Sequence, residues 1–424
     1  MKLLMSMGKS LTLRARLLFI AALRAVFACA LLFGMTGLSN IQTVFALSAA
    51  NSPASSVIGQ PNFLDNTANY GDNSGSLNYP RSVYSDGQHL FVADRNNNRV
   101  LIYNGIPGVN GADTIADSVI GQPNMFSGTA NNGGLSASSL STPTSVYSDG
   151  QHVFVADFGN HRVLIYNGIP GVDGADNIAD SVIGQPNMTS GTINSGGISA
   201  SSLYYPYSVY SDGQHTFVTD QSNHRVLIYN GIPGVNGADN IADSVIGQPN
   251  MTSGTANNGG LSASSLYYPM SAYSDGQHLF VADFVNNRVL IYNGIPGVNG
   301  ADNIADSVIG QPNMTSGTAN NGGLSASSLY YPMSAYSNGQ HTFVADYINN
   351  RVLIFNGIPG VDGADNIADS VIGQPNMTSG TANNGGLSAS SLYYPLSVYS
   401  DGQHLFVADY NREDFPAACC GWSC

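Results

Sequence analysis

The amino-acid sequence predicts an all-β protein built from repeats, of the propeller, solenoid or array type. A Gly-Gln-Pro tripeptide occurs six times, with one spacing of 62 residues followed by four of 63. A second marker, Asp/Asn-Gly-Gln-His, also recurs every 63 residues. No long helical pattern occurs after the N-terminal segment. The tripeptide begins at Gly59, Gly121, Gly184, Gly247, Gly310 and Gly373.

Each repeat unit is predicted to contain four short strands. Asp86-Gly87 separates the first two and predicts a two-residue hairpin turn, in which both central residues need positive φ. The third segment is continuously apolar, which indicates burial on both of its faces. In the first unit the segments are 82–85, His89–Asp94, Arg99–Asn104 and Ser118–Ile120.

The unit sequence Pro-x-Ser-Val-x-Ser-Asp-Gly-Gln-His-x-Phe-Val-Ala-Asp-x-x-Asn-Asn-Arg-Val-Leu-Ile-Tyr-Asn resembles the NHL repeat. The similarity is strongest over 269–293 and covers similar stretches of five units. The resemblance implies a six-bladed β-propeller, in agreement with the six tripeptides, and it implies interaction rather than catalysis. The chain departs from the family pattern by two added loops per unit. One joins the third and fourth strands, and the other, such as 251–266, leads to the next blade on the face of the Asp…Arg turns.

An Asp…Arg pair is the most specific element of this resemblance. The carboxylate can accept hydrogen bonds from turn N–H groups and from the guanidinium. Because the pair recurs five times at one spacing, we interpret it as a structural strut and not as a catalytic pair. The pairs are Asp94 with Arg99, Asp157 with Arg162, Asp220 with Arg225, Asp283 with Arg288, and Asp346 with Arg351.

Histidine and aspartate raise the question of metal binding. One histidine follows each hairpin, and copies on separate blades are too far apart to share a zinc ion, so we interpret them as turn caps. The loop between the third and fourth strands carries aspartates that could bind calcium, although the same residues can cap turns. No other cofactor is predicted. The calcium candidates are Asp173, Asp176, Asp180, Asp362, Asp365 and Asp369.

Tyr-Tyr-Pro triplets precede the first strand in four units. Tyrosine offers an apolar face and a hydroxyl, which suit sugars and protein interfaces, and it also packs well between blades. Both roles remain open from the sequence. The candidate binding residues are Tyr204, Tyr205, Tyr267, Tyr268, Tyr330, Tyr331, Tyr393 and Tyr394.

The charge distribution argues against nucleic acid as a partner. From Asn51 onward the chain has 8 arginines, no lysine and 27 acidic residues, a net charge of −19. Such a surface repels phosphate backbones and anionic lipids. Membrane association is therefore expected only through an uncleaved N-terminal segment.

The first 48 residues are predicted to be a signal peptide or a membrane anchor. Basic residues precede an apolar run, and a small-residue cleavage pattern, Ala46-Leu47-Ser48, follows. Cleavage would give a secreted, extracellular or periplasmic protein. The alternative is an anchor helix over 17–35, with Arg24 at an unfavourable depth in the membrane.

The propeller is predicted to span 52–410 and to end in an incomplete blade. After Tyr410 the chain lacks the Asn-Asn-Arg-Val-Leu-Ile segment and continues into an aberrant Cys-containing tail, 411–424. We interpret this end as the scar of a frameshift or truncation that leaves an unpaired strand edge. The segment 56–59 has a fourth-strand sequence and is expected to complete the last blade and lock the ring.

The sequence thus predicts a secreted or surface-attached propeller that is a non-catalytic scaffold for extracellular proteins. A multivalent carbohydrate-binding propeller is the alternative, with glycans as partners. A propeller lyase or lactonase is less favoured because such enzymes need unlike blades. Here 245–278 and 308–341 differ at one position, and no P-loop, H-E-x-x-H motif, nucleophile elbow or dinucleotide fingerprint occurs.

Overall fold

A computed structural model of the chain describes residues 53–72, 74–172, 174–361 and 363–410. In this part of the chain five antiparallel sheets have four strands each and a sixth has two, in sequential order within every sheet. The prediction of an all-β propeller is confirmed as five full blades and a partial sixth. The predicted signal or anchor helix and the tail 411–424 lie outside the described residues.

The strands follow one pattern in every blade. The first blade contains β1 (Pro80–Ser85), β2 (His89–Asp94), β3 (Arg99–Asn104) and β4 (Ser118–Ile120). The second contains β5 (Ser145–Ser148), β6 (His152–Asp157), β7 (Arg162–Asn167) and β8 (Ser181–Ile183). The third contains β9 (Pro206–Ser211), β10 (His215–Asp220), β11 (Arg225–Asn230) and β12 (Ser244–Ile246).

The remaining blades repeat this strand pattern. The fourth contains β13 (Pro269–Ser274), β14 (His278–Asp283), β15 (Arg288–Asn293) and β16 (Ser307–Ile309). The fifth contains β17 (Pro332–Ser337), β18 (His341–Asp346), β19 (Arg351–Asn356) and β20 (Ser370–Ile372). The sixth contains β21 (Pro395–Ser400) and β22 (Leu405–Asp409). Short 3₁₀ turns are Tyr70–Asp72, Arg95–Asn97, Phe158–Asn160 and Gln221–Asn223. None of the helices described is long and apolar enough to cross a membrane.

Burial explains the strand pattern. Five of the six residues of β3 are buried and only its last residue is exposed, as the continuous apolar run predicts. Strand β1 begins two residues before the predicted start, because a bulge between Pro80 and Ser82 lets the chain pair with β2 from the proline onward.

The hairpin turn differs from the prediction. Only Gly87 has positive φ, at 89°, so the turn is not one in which both central residues are left-handed. Three residues, 86–88, separate the strands. The Asp86 carboxylate shapes this longer turn, since its Oδ1 accepts hydrogen bonds from the backbone N–H of Gln88 (2.8 Å) and His89 (2.6 Å).

The innermost strands form a closed ring around the axis of the propeller. The next-to-last residue of each repeat's first strand is a tyrosine, and the six side chains pack side by side. Neighbouring ring centroids are 4.5–4.8 Å apart all the way round. The ring comprises Tyr84, Tyr147, Tyr210, Tyr273, Tyr336 and Tyr399. The contact between Tyr399 and Tyr84 joins the sixth blade to the first and closes the circle.

The closing segment 56–59 does not form the predicted strand. Its side chains still occupy equivalent places. Ser56 lies against Gly108 as Ser118 lies against Gly171 in the next blade, and Ile58 packs into the core beside Phe406. A fourth strand needs a third strand as its hydrogen-bonding partner, and the described part of the sixth blade ends at β22.

Candidate functional site

The Asp–Arg pairs are buried and fully engaged in hydrogen bonds. In the second blade Arg162 Nε donates to Asp157 Oδ2 (2.7 Å), and both side chains are 0% exposed. Arg162 Nη2 donates to the carbonyl of Ser139 (2.8 Å), while Asp157 Oδ1 accepts from the N–H of Ser141 (2.7 Å). The pair therefore ties the loop that enters the blade to the turn that follows its second strand.

The hairpin histidines bond to the carboxylates of their own turns. His89 Nδ1 lies 2.9 Å from Asp86 Oδ2, and four further blades repeat this contact. In the fifth blade Asn338 replaces the aspartate and its Oδ1 still accepts from the N–H of His341 (2.8 Å). The arrangement is that of a turn cap in each blade.

The aspartates of the β7–β8 loop also bond to backbone. Asp176 Oδ1 accepts from the N–H of Ile178 (2.9 Å), and Asp180 Oδ2 accepts from the N–H of Asn167 (2.8 Å). Asp365 and Asp369 make the equivalent contacts in the fifth blade. Asp173 and Asp362, the remaining calcium candidates, lie outside the described residues.

The part of the chain that the structure describes gathers no group of three or more metal-ligating side chains. Its loop carboxylates already serve as acceptors for backbone N–H groups. The calcium site therefore stays a prediction, and calcium plays no part in the function proposed below.

The Tyr-Tyr pairs lie between neighbouring blades. The second tyrosine of each pair has positive φ, 54° at Tyr205. In three of the four pairs its ring stacks on an aromatic side chain of the preceding blade, whereas Tyr268 makes a tilted contact with His224. Tyr205 stacks on Phe158 with centroids 4.4 Å apart, and Tyr331 stacks on Phe284 at the same distance. All eight tyrosines are half-buried. They help to join the blades and keep part of each ring in solvent, so their binding role stays a prediction.

The face with the hairpin turns has a cavity of about 520 Å³ beside the tyrosine ring. Its lining includes Tyr273, Tyr336 and Tyr399 and the turn residues Asp275 and Asp401. Burial raises the pKa of Tyr336, so its hydroxyl stays protonated and donates to the carbonyl of Ser400 (2.7 Å).

An exposed isoleucine occupies the same loop position in five blades. It lies between the third and fourth strands within the sequence Asp-x-Ile-Ala-Asp, and its side chain is 51–55% exposed. The isoleucines are Ile115, Ile178, Ile241, Ile304 and Ile367. Each follows an aspartate whose carboxylate accepts its N–H, as Asp113 does for Ile115 (2.9 Å), and each precedes a buried alanine.

The opposite end of the central axis is lined by unlike residues. A cluster there contains side chains from all six blades, including Phe158, Tyr207 and Met270. Two partly exposed arginines of the first blade, Arg81 and Arg95, lie against its aromatic rings.

Comparison with known proteins supports the repeat assignment. The family model described as "NHL repeat" matches 77–103 and 140–166, the equivalent segments of the first two blades. The chain is an NHL-repeat β-propeller. No curated protein matches its sequence.

Solved structures share low sequence identity with this NHL propeller. Proteins of Bacteroides uniformis and Bacteroides fragilis, each provisionally named a 6-phosphogluconolactonase, are both 15% identical, with TM-scores of 0.43 and 0.42. The matches cover 70% and 78% of this chain and 71% and 73% of theirs. A chain of a nidogen–laminin complex is 14% identical, with a TM-score of 0.39, over 65% of this chain and 75% of that one.

The sixth blade of the NHL propeller has a strut aspartate with no arginine among the described residues. Burial raises the pKa of Asp409 to about 7, and only a hydrogen bond from the N–H of Tyr393 (2.7 Å) opposes this shift. The other five carboxylates of this position each accept from an arginine. The described part of the sixth blade therefore contains an acid of raised pKa without the arginine that pairs with it in the other five blades.

Two features of the NHL propeller were not predicted from the sequence. The loop isoleucine could have been found as the one large apolar residue between two acids in a glycine-rich loop. Arg81 and Arg95 could have been found by comparing repeats, because they occupy positions where nearly identical blades carry different residues. Spacing alone does not show that these two positions meet at the axis.

Proposed function

We propose that this NHL propeller is a non-catalytic scaffold that binds protein partners through several equivalent contacts. The observation that carries the proposal is the exposed isoleucine at one loop position in five blades. Single exposed apolar residues are common on protein surfaces. Five at equivalent positions form a regular array instead, and such an array favours a repeated contact with partners.

The loop holds each isoleucine in a fixed position. The Asx turn around it bonds the N–H of Ile178 to Asp176, and the N–H of the buried Ala179 donates to the carbonyl of Ala137 (3.0 Å) in the neighbouring loop. A pre-ordered side chain loses little entropy on binding. One isoleucine buries little apolar area, so each contact is weak, and several contacts together gain affinity through avidity.

The charges around the isoleucine define the partner's chemistry. Exposed aspartates stand two residues before and two residues after it, as Asp176 and Asp180 do around Ile178. The body of the protein is strongly acidic as well. A matching partner would present a small apolar pocket bordered by lysine or arginine, since opposite charges favour encounter and orientation. With a signal-type N-terminus, we place this interaction outside the cytoplasm.

The test begins with peptides selected by display against the full chain, under conditions that exclude anionic polymers. Binding of the selected peptides is then compared between the wild type and the triple variant I178S/I241S/I304S. We expect the triple variant to weaken binding on a peptide-coated surface at least about tenfold, because apolar contacts are lost and avidity falls.

The matched control is Ile193→Ser. Ile193 is 46% exposed but lies in the loop that leads to the next blade, outside the repeated position. The control should bind like the wild type. Equal binding by the triple variant, or an equal loss in I193S, would contradict the proposal.

The half-exposed Tyr-Tyr pairs favour carbohydrate binding as a second candidate function. Four pairs present similar aromatic surfaces, which suit stacking on sugars. A glycan array separates the two candidates. Selective glycan binding that is lost in Y267A/Y330A and kept in the triple isoleucine variant would establish the second function in place of the first.

A further inference from the structure

Two arginines at one end of the propeller axis have no acidic partner among the residues that the structure describes. Five other arginines of the described chain pair with strut aspartates. Arg81 and Arg95 form no ion pair with any described carboxylate. The Nε atom of each is buried and has no hydrogen-bond acceptor. A buried guanidinium N–H without an acceptor is unfavourable, so this arrangement requires an explanation.

Aromatic rings surround the two guanidinium groups. The Cζ atoms of Arg81 and Arg95 lie 4.4 and 5.4 Å from the ring centroid of Tyr79. Arg81 also lies 5.4 Å from the ring of Tyr207, which belongs to the third blade, so its side chain reaches across the axis. Arg95 lies 5.8 Å from the ring of Phe158. The rings hold the two cations close together without neutralising them.

The two guanidinium groups differ in their electrostatics. The pKa of Arg81 is raised, because the surrounding tyrosines, Tyr207 first, outweigh the lowering that burial causes. Burial lowers the pKa of Arg95, and the neighbouring charge of Arg81 lowers it further. Gln221 is 5% exposed and its Oε1 has no hydrogen-bond partner, while its Nε2 lies 3.4 Å from the sulfur of Met270 in the same cluster. If the Nε2 and Oε1 atoms of Gln221 exchange positions, its amide N–H becomes a third hydrogen-bond donor at this site, in addition to the two guanidinium groups.

The two positions differ between blades that are otherwise nearly identical. The residue after the strand-initial proline is Arg81, Thr144, Tyr207, Met270, Met333 or Leu396. The residue after the strut aspartate is Arg95, Phe158, Gln221, Phe284, Tyr347 or Tyr410. Both arginines therefore belong to the first blade. This end of the axis breaks the symmetry of the propeller and can form a single site, unlike the five equivalent loops.

We propose that this end of the axis binds one small oxyanion attached to a flat aromatic or apolar body. The two guanidinium groups would take the oxygens of a carboxylate or a phosphate, which match the fork of N–H donors in arginine. The rings of Tyr79, Phe158 and Tyr207 would contact the body of the ligand. The site is independent of the isoleucine loops, and its ligand is a small molecule.

The experiment uses the full chain with four probes: benzoate, phenyl phosphate, inorganic phosphate and neutral benzyl alcohol. Calorimetric titration measures binding, and thermal melting measures stabilisation. We expect one equivalent of benzoate or phenyl phosphate per chain and a rise in Tm with ligand concentration. The difference between these two probes distinguishes a carboxylate from a phosphate. Benzyl alcohol should not bind, since it lacks the charge.

The repeat itself supplies the test substitutions. Arg81→Met and Arg95→Phe introduce residues that other blades carry at the same positions, so both should fold. Each should weaken binding of the better probe at least about tenfold. Without ligand, the double variant should melt at or above the wild-type Tm, because it removes two partly buried charges whose Nε–H groups lack an acceptor. Arg81→Lys, which keeps the charge, should retain part of the binding.

Glu413 and Asp414 follow Tyr410 closely in the sequence and are outside the described residues. The titrations are therefore repeated in E413Q/D414N, where these carboxylates cannot compete for the site. Binding that depends on Arg81 and Arg95 in either background supports the proposal. Absence of binding in both backgrounds, or equal binding by R81M/R95F, would overturn it.

Discussion

At the residue scale, the position before each strut arginine accepts either asparagine or histidine, and the two side chains differ in how much they stabilise the fold. The residue before each strut arginine has left-handed φ, 53° at both His161 and Asn287. Asparagine suits this conformation. Asn287 also donates from Nδ2 to the carbonyls of Val285 (3.0 Å) and Gly317 (2.9 Å). His161 accepts only the N–H of Tyr205, at 3.2 Å from Nδ1.

The double substitution H161N/H224N should stabilise the protein. Each asparagine would restore two hydrogen bonds, for about 1 kcal/mol per site in the free energy of unfolding at pH 7. Burial lowers the pKa of each histidine to about 4. Between pH 6.5 and 4 the unfolded chain therefore binds more protons, and the wild type loses stability as pH falls.

Urea unfolding at pH 7.5 and pH 5 measures both effects. The stability gap between H161N/H224N and the wild type should widen at pH 5 by about 1–2 kcal/mol per site. A gap that is constant across this range would show that neither histidine is buried in its neutral form.

At the element scale, the sixth blade shows what the strut arginine contributes. The Asp409 carboxyl has a pKa near 7 in the folded protein, above its ordinary value. The folded state thus binds more protons than the unfolded state between about pH 4 and 7. The contribution of the Asp409 carboxyl to the free energy of unfolding is fully present at low pH and is lost as pH rises through 7. The histidines have the opposite effect, since they reduce stability as pH falls.

The substitution Asp409→Asn should remove the loss of stability that occurs as pH rises through 7. Asparagine keeps the oxygen that accepts the N–H of Tyr393 and carries no charge. Between pH 5 and 8 the variant should gain about 2 kcal/mol relative to the wild type. The control is Asp401→Asn, which places in the sixth blade the residue that Asn338 provides in the fifth. If D409N and D401N had the same pH profile, Asp409 would not be the buried acid described here.

Much of each blade could be predicted from the sequence. The apolar run in β3 and the Asp157…Arg162 spacing are local and repeated, so periodicity identifies them. The predicted form of the hairpin was wrong, because the turn depends on which backbone N–H groups bind to the Asp86 carboxylate. The segment 56–59 was wrongly predicted as a strand because strand pairing needs a partner at the other end of the chain.

At the scale of the whole molecule, near-identical repeats have two consequences. They generate equivalent surfaces around the ring, which multiply a weak contact such as the one at Ile178. They also bring two positions that differ between blades, those of Arg81 and Arg95, to a single place on the axis. Repetition could be found in the sequence, whereas this convergence depends on closure of the ring, through the contact of Tyr84 with Tyr399.

The central claim is that the propeller offers several equivalent binding loops, and the stoichiometry of binding tests it most directly. A monovalent peptide from the display selection is titrated into the full chain in a calorimeter. The account predicts about five equivalents per chain with one common Kd, one for each exposed isoleucine, and about two after I178S/I241S/I304S. A single equivalent in both proteins would contradict it and would place the interaction at a unique site.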